Sequence, residues 1–254
     1  MTYHARRTVK RKKDKPMPSA RQIGIDEPPE VPANGTRADL NSLLREIHAL
    51  NASNLTSMHG RGEVLFGEGD SVRGVYILRM GRATVSISSS EGRVVILRIA
   101  QVGDVLGLSS VLRSSSYNAT VKTIEPCRTQ FISSAHLVEI MERNQSGANA
   151  ISRILSRELT ELTDRARSLL LPQTANARLA NLLLEWCEKS EVDQSNLVKI
   201  DRDLTQEQIA QMICSSRETV TRLLASFTKR NIVRITSNSI LICDRAALEA
   251  IACC

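Results

Sequence analysis

The 254-residue sequence has no window approaching eighteen consecutive apolar residues, so no membrane-spanning helix is expected. Basic residues open the chain but no apolar stretch follows them, which argues against a secretory signal. The six cysteines (Cys127, Cys187, Cys214, Cys243, Cys253 and Cys254) make no C-x-x-C pair and no His/Cys ligand spacing, so no metal site is indicated. Without an export signal, reduced thiols in a cytoplasmic protein are the expectation. The four histidines are scattered and no nucleophile–base grouping stands out, so neither catalysis nor a cofactor is expected.

What the sequence does have is 42% hydrophobic residues, enough for one large domain or two ordinary ones, and a net charge of +7. Such a charge points first to nucleic acid as a partner. It is unevenly placed. Residues 1–15 carry seven basic residues against Asp14 alone, so six of the seven net charges lie there. With Pro16, Pro18, Pro28, Pro29 and Pro32 following, residues 1–35 read as a disordered basic arm. The arm either adds phosphate contacts on DNA or is a solvated tail.

Three segments differ in periodicity. An amphipathic helix is predicted in "ADLNSLLREIHAL", with Leu40, Leu43, Leu44 and Ile47 on one face. From Gly60 to about Ser134, short β-branched runs ("EVLF", "GVYILRM", "RATVSIS", "RVVILRI", "NATVKTI") alternate with glycine-bearing turns, which predicts a sandwich or small barrel. A long helix then spans about Gly147 to Leu171. Leu155, Leu159, Leu162, Ala166 and Leu169 follow 4-3-4-3 spacing along it, a narrow seam suited to a partner helix. The alternative is a helix lying on its own β-domain. Pro172 ends or interrupts it.

The last ninety residues read as helices and then a hairpin. "NARLANLLLEWCEK" sets Leu179, Leu182, Leu183 and Trp186 on one side. Thr205 and Gln208 have capping-box spacing at the start of "LTQEQIAQMI". Ile209, Ala210 and Ile213 form the inner face of that helix, and Val220, Leu223 and Leu224 that of "SSRETVTRLLASFTKR". The short interval Cys214-Ser215-Ser216 has the length of the turn in a helix-turn-helix. Arg217, Glu218, Thr221 and Arg222 are left on the outer face of the second helix, where they would meet base edges in a major groove. Arginine pairs bidentately with guanine, and glutamate accepts from a cytosine amino group. The plainer alternative is a solvated face, since Ser215/Glu218 also have capping-box spacing and Glu218/Arg222 are an i,i+4 pair. The strand pair in "IVRITSNSILI", turning at Ser237-Asn238-Ser239, supplies a wing and favours the DNA-reading alternative.

"SSRETVTRLL" after "LTQEQIAQMI" resembles the winged helix-turn-helix of the Crp/Fnr transcription regulators, and "GEVLFGEGDSVRGVYILRMGRATVS" with "GDVLGLSSVL" resembles their cyclic-nucleotide-binding β-roll. The resemblance covers roughly residues 40–245. It implies an α+β fold: an antiparallel, jelly-roll-like β-roll (36–145), a dimerisation helix (146–172) and a winged helix-turn-helix (173–254). It implies a homodimeric regulator reading a palindromic site on double-stranded DNA, with RNA polymerase as a further partner. Arg217, Glu218 and Arg222 match the family's base-reading positions. Thr205 and Ser216 match positions that hold the phosphate backbone. Cys214 stands where many such turns have glycine.

In the sensor half the sequence departs from the pattern. Cyclic-AMP-binding members carry G-E-L, whose Glu takes the ribose hydroxyl, and a later Arg-Ser pair for the cyclic phosphate. Here the first stretch is Gly107-Leu108-Ser109 and the second Tyr117-Asn118, so carboxylate and cation are both missing. Thr163 falls where a base-contacting Thr is expected, followed by Asp164. These six residues (Gly107, Leu108, Tyr117, Asn118, Thr163, Asp164) are the effector-pocket candidates, for an effector other than cyclic AMP bound in the usual mode. Iron–sulfur members need N-terminal cysteines, and here the first is Cys127; His59 and Cys127 alone make poor haem ligands. Three alternatives stay open: a constitutive DNA binder with a scaffold β-roll, a cyclic-nucleotide-binding regulatory subunit of a partner enzyme, and a thiol redox sensor.

Overall fold

The computed structural model describes residues 40–41, 43–45, 55–171, 174–188, 198–201, 204–236 and 239–253. The basic arm, Ile47, Pro172, most of the hairpin turn and Cys254 lie outside them. Helix α1 is seen at 40–41 and 43–45, with Leu40 and Leu43 buried.

Eight strands follow: β1 (Leu55–His59), β2 (Val64–Phe66), β3 (Gly74–Met80), β4 (Ala83–Ser88), β5 (Val94–Ala100), β6 (Val105–Leu106), β7 (Thr120–Thr123) and β8 (Cys127–Ser133). They form two four-stranded antiparallel sheets, in the orders β1-β8-β3-β6 and β2-β7-β4-β5. Strand β3 shows why its sequence is a nearly unbroken apolar run. Side chains alternate across a strand. Val75 and Ile77 go outward, under a layer of helices, whereas Tyr76 and Leu78 go into the roll with Phe66, Leu106, Tyr117 and Val121. Both faces are covered, so neither can be polar.

The helix layer is α1, α2 (Leu108–Leu112), α3 (Ser134–Arg143) and the start of α4 (Gln145–Leu170). Helices α2 and α3 add to the expected elements, as do β1, β6 and β8. Asn144, in an extended conformation, breaks the chain between α3 and α4 and caps α4 by accepting from the Ser146 amide. The long helix thus spans nearly the expected residues.

The C-terminal unit holds α5 (Ala175–Glu188), β9 (Val198–Asp201), α6 (Gln206–Met212), α7 (Arg217–Lys229), β10 (Val233–Ile235), β11 (Ser239–Ile242) and α8 (Arg245–Ala252). Its three strands run in the order β10-β11-β9, all antiparallel. The chain does not end in the hairpin as its sequence suggested. Asp244 accepts from the Ala247 amide and caps α8, whose Leu248 and Ile251 fill the core beside Leu179, Leu183 and Phe227.

Strand β5 joins the two units. Val85 pairs with Arg98 but Ser86 pairs with Ile96, so Leu97 is an extra residue in a β-bulge. A bulge resets the alternation of side chains. Ile96 and Ile99 therefore share one face and enter the core of the C-terminal unit, beside Ile209 and Ala210. Arg98 takes the other face, bonding Asp104 and lying 3.9 Å from Glu161 of α4.

Candidate nucleic-acid interface and sensor pocket

Helix α6 starts as its T-x-x-Q spacing predicts. Thr205 Oγ1 accepts from the Gln208 amide at 3.2 Å, and the Thr205 amide donates to Gln208 Oε1 at 2.8 Å. Both bonds satisfy amides that the helix itself leaves unpaired. The turn passes through Cys214 at φ 50°, the left-handed region that favours glycine. This is the strain expected of a cysteine at that position.

The recognition helix α7 is capped by Ser216, not Ser215. Ser216 Oγ accepts from the Thr219 amide at 3.2 Å, so Arg217 is the first helical residue. Val220, Leu224 and Phe227 are buried, whereas Arg217, Glu218, Thr221 and Arg222 are exposed. The Glu218–Arg222 ion pair allowed by spacing is not made. Hydrogen bonding at the helix start, first from its own backbone amide and then from Ser216, holds the Glu218 carboxyl below the usual glutamate range, with Arg217 adding to the shift. Among the described residues the guanidiniums of Arg217 and Arg222 have neither a hydrogen bond nor an ion pair. Thr221 Oγ1 instead bonds Gln206 Oε1 of α6 at 2.7 Å, tying the two helices on their exposed rim.

The β-roll candidates separate. Gly107, at φ 84°, caps α2 and lies under the Tyr117 ring; a Cβ there would come within 2.7 Å of Tyr117 Cε1. Tyr117 is 3% exposed, stacks on Phe66 and donates its hydroxyl to the Gly74 carbonyl at 2.6 Å. Asn118 is exposed and bonds Ser109 and Ser110. Leu108 turns away into the helix layer, fully buried. Thr163 and Asp164 stand exposed on α4, bonded to the Leu159 carbonyl and to Arg167. Among the described residues, none of their hydrogen bonds or ion pairs reaches Gly107, Tyr117 or Asn118. Three of the six candidates thus meet at one place, and an aromatic ring fills it.

Along α4 the apolar stripe divides. Leu155 packs against its own helix layer and Leu169 is half-buried, but Leu159 is 67% exposed and Leu162 and Ala166 are exposed too. Leu170 (80%) and Leu171 (73%) extend the uncovered apolar surface.

Two residues that sequence reasoning missed brace the end of α6. Arg165 of α4 and Arg178 of α5 donate to the Met212 and Ile213 carbonyls at the end of α6. Their partners lie 47 and 35 residues away in the chain, and no local pattern marks them.

Residues 59–144 match the cyclic nucleotide-binding domain, and residues 177–251 match the Crp-like helix-turn-helix domain. The CRP-like cAMP-activated global transcriptional regulator of Mycobacterium tuberculosis is 27% identical over 188 residues, covering 74% of this chain and 84% of that protein. The anaerobic regulatory protein of Bacillus subtilis is 25% identical over 179 residues, covering 70% and 75%. The solved structure of FixK2 from Bradyrhizobium japonicum shares the fold, with a TM-score of 0.67 at 21% identity over 78% of this chain and 96% of that one. A β-roll, a long helix and a winged helix-turn-helix, in that order, define a class of DNA-binding transcription regulators. Within that class, the chain belongs to the Crp/Fnr family.

Proposed function

We propose that the protein is a homodimeric, cytoplasmic regulator that reads a palindromic duplex through α7, under an effector other than cyclic AMP bound in the usual mode. One observation carries the DNA-reading part: Arg217 and Arg222 lie on the exposed face of α7 with no hydrogen bond or ion pair of their guanidiniums among the described residues. Each is free to give paired donors to guanine N7 and O6, and Glu218 is an acceptor for a cytosine amino group. Thr205 and Ser216, at the starts of α6 and α7, are placed to accompany amides facing phosphate oxygens. Thr221 supports this face through Gln206. The exposed Leu159–Leu162–Ala166 stripe supports a dimer in which two copies of α4 pack together. A half-site similar to the family's TGTGA follows from the resemblance, and RNA polymerase is the further partner.

The effector part rests on Tyr117, which by motif position matches the family's phosphate-binding cation and is a buried aromatic ring. A second reading draws on the same ring: the β-roll is a scaffold, and DNA binding needs no effector. In vitro selection of bound DNA by the purified protein, with and without cell extract, tests both. An inverted palindrome enriched only with extract supports an effector; the same palindrome without extract supports the scaffold reading; no palindrome overturns the proposed function.

A further inference from the structure

Arg165 lies in the stretch between the two segments that match known families. Its place on α4 gives no hint of burial, since Asp164, Ala166 and Arg167 beside it are all exposed. Yet Arg165 is only 8% exposed. Its Nη2 donates both to the Ile96 carbonyl of β5, at 3.3 Å, and to the Met212 carbonyl at the end of α6. Its Nη1 donates to Ser168 Oγ at 3.4 Å. One guanidinium thus bonds three bodies: the β-roll, the long helix and the helix-turn-helix.

The side chain is costly to keep there. Burial pushes the guanidinium below its ordinary value, and Nε has no hydrogen-bond partner among the described residues. A buried charge of this kind is seldom retained for stability alone, because an apolar residue fills the same space without desolvating a cation. Its geometry offers another reason. Guanidinium is planar and fixed in shape, so its two bonds from one nitrogen set the distance between Ile96 and Met212. Met212 is the last residue of α6, and only four residues separate it from Arg217 at the start of α7. The bulge at Leu97 adds to the join by turning Ile96 and Ile99 onto Ile209 and Ala210. Arg165 thus ties the end of α6, just before the turn into α7, to α4 and β5.

We propose that Arg165 is a positioning residue for DNA recognition: it sets the separation and phase at which the two recognition helices of a dimer meet their half-sites, and therefore the spacing that the protein accepts. The inference rests on the palindrome-reading dimer proposed above. Base choice within a half-site belongs to Arg217, Glu218 and Arg222; the distance between half-sites belongs to Arg165. Arg178 is the internal control. It bonds the adjacent Ile213 carbonyl at 2.8 Å from α5, a helix of the C-terminal unit itself.

The test uses full-length wild type, Arg165→Lys, Arg165→Met and Arg178→Lys, with folding followed by circular dichroism. Fluorescence anisotropy measures binding to the selected palindrome and to versions with one base pair added to or removed from the spacer. Wild type and Arg178→Lys are expected to prefer the original spacing by tenfold or more. In the Arg165 variants that preference is expected to fall below threefold, while discrimination against a changed base inside the half-site stays within twofold of wild type. Lysine keeps the charge but lacks the planar fork, so it carries the test if the methionine variant fails to fold. Arg165 variants that weaken every duplex equally and keep the spacing preference overturn the inference, leaving Arg165 a structural residue only. Loss of spacing preference in Arg178→Lys as well overturns it too. A wild type that binds no palindrome removes the proposed function first, and this inference with it.

Discussion

The rings of Tyr117 and Phe66 lie stacked, with centroids 3.9 Å apart and planes 17° from parallel. By the resemblance, Tyr117 matches the position that offers a cation to a cyclic phosphate in cyclic-AMP-binding members, and its side chain is a buried ring. An anion placed there would have to displace the ring and break its bond to Gly74. Calorimetry with cyclic AMP is expected to give no saturable heat at micromolar nucleotide. Tight binding that is abolished by changes at Thr163 or Asn118 would show the usual mode to be intact.

Several exposed leucines along one helix, here Leu159, Leu162 and Leu170, mark an interaction surface where single ones do not. Replacing Leu159 and Leu162 with glutamate is expected to yield monomers by light scattering and to weaken DNA binding, since each half-site would then be held alone. The core beneath α4 draws on Ala150 and Ile151 instead, so the variant should keep its fold. A wild-type monomer at micromolar concentration contradicts the seam.

Cys214 sits at φ 50°, where a β-carbon costs roughly 1–2 kcal/mol. Cys214→Gly relieves that strain but loosens the unfolded chain by about 0.4–1 kcal/mol, so its stability should be equal to wild type or slightly higher. Cys214→Val adds β-branching in the same region and should lose more than ~1 kcal/mol. Urea denaturation of the three proteins separates these effects. Equal loss in both variants would show that the thiol, not the backbone, matters there.

Glu158 lies beside Arg98, Asp104 and Glu161 where α4 meets β5. Burial raises its pKa above the ordinary glutamate value, with Arg98 opposing and the two neighbouring carboxylates adding to the rise. A raised folded value means that the folded state holds this proton more tightly than the unfolded chain. Glu158 therefore favours folding below its unfolded pKa, and that benefit is lost as pH rises through the folded value. Glu158→Gln keeps the neutral form at every pH and should melt higher than wild type at pH 7, with the gap closing towards pH 4. A variant that melts lower at pH 7 would show that the charge is needed against Arg98.

The parts of this molecule that were legible in the sequence obey local rules. The β-branched, apolar run Gly74–Met80 and the capping pair Thr205/Gln208 depend on neighbours close in the chain, and the strand and the cap are both present as read. The missing Glu218–Arg222 pair was not legible, because the i,i+4 spacing allows the pair without requiring it. Helix α8 had a signal that went unread: Asp244 as a cap before Leu248 and Ile251. Strand β9 is short and gains its place only by pairing with β11. Arg165 had no signal. Its meaning depends on Ile96 and Met212, which folding alone brings together.

The phosphate and base roles differ in the selectivity of the loss each predicts. Thr205→Ala removes a helix cap worth about 1 kcal/mol and should weaken all duplexes about equally, because phosphate contacts carry no base information. Binding of preferred and random duplexes at one fixed salt concentration reads this directly. A selective loss on the preferred site would move Thr205 to base reading.

The most direct measurement is in vitro selection with wild type and Arg222→Ala, followed by affinities on preferred and random duplexes. The expected result is an inverted palindrome with half-sites about one helical turn apart, ~34 Å between centres. Arg222→Ala should lose on the order of 1–3 kcal/mol on that site and relax the preference at one base pair. No palindrome, or an Arg222→Ala protein weakened alike on preferred and random DNA, would mean that the outer face of α7 is only a solvated surface.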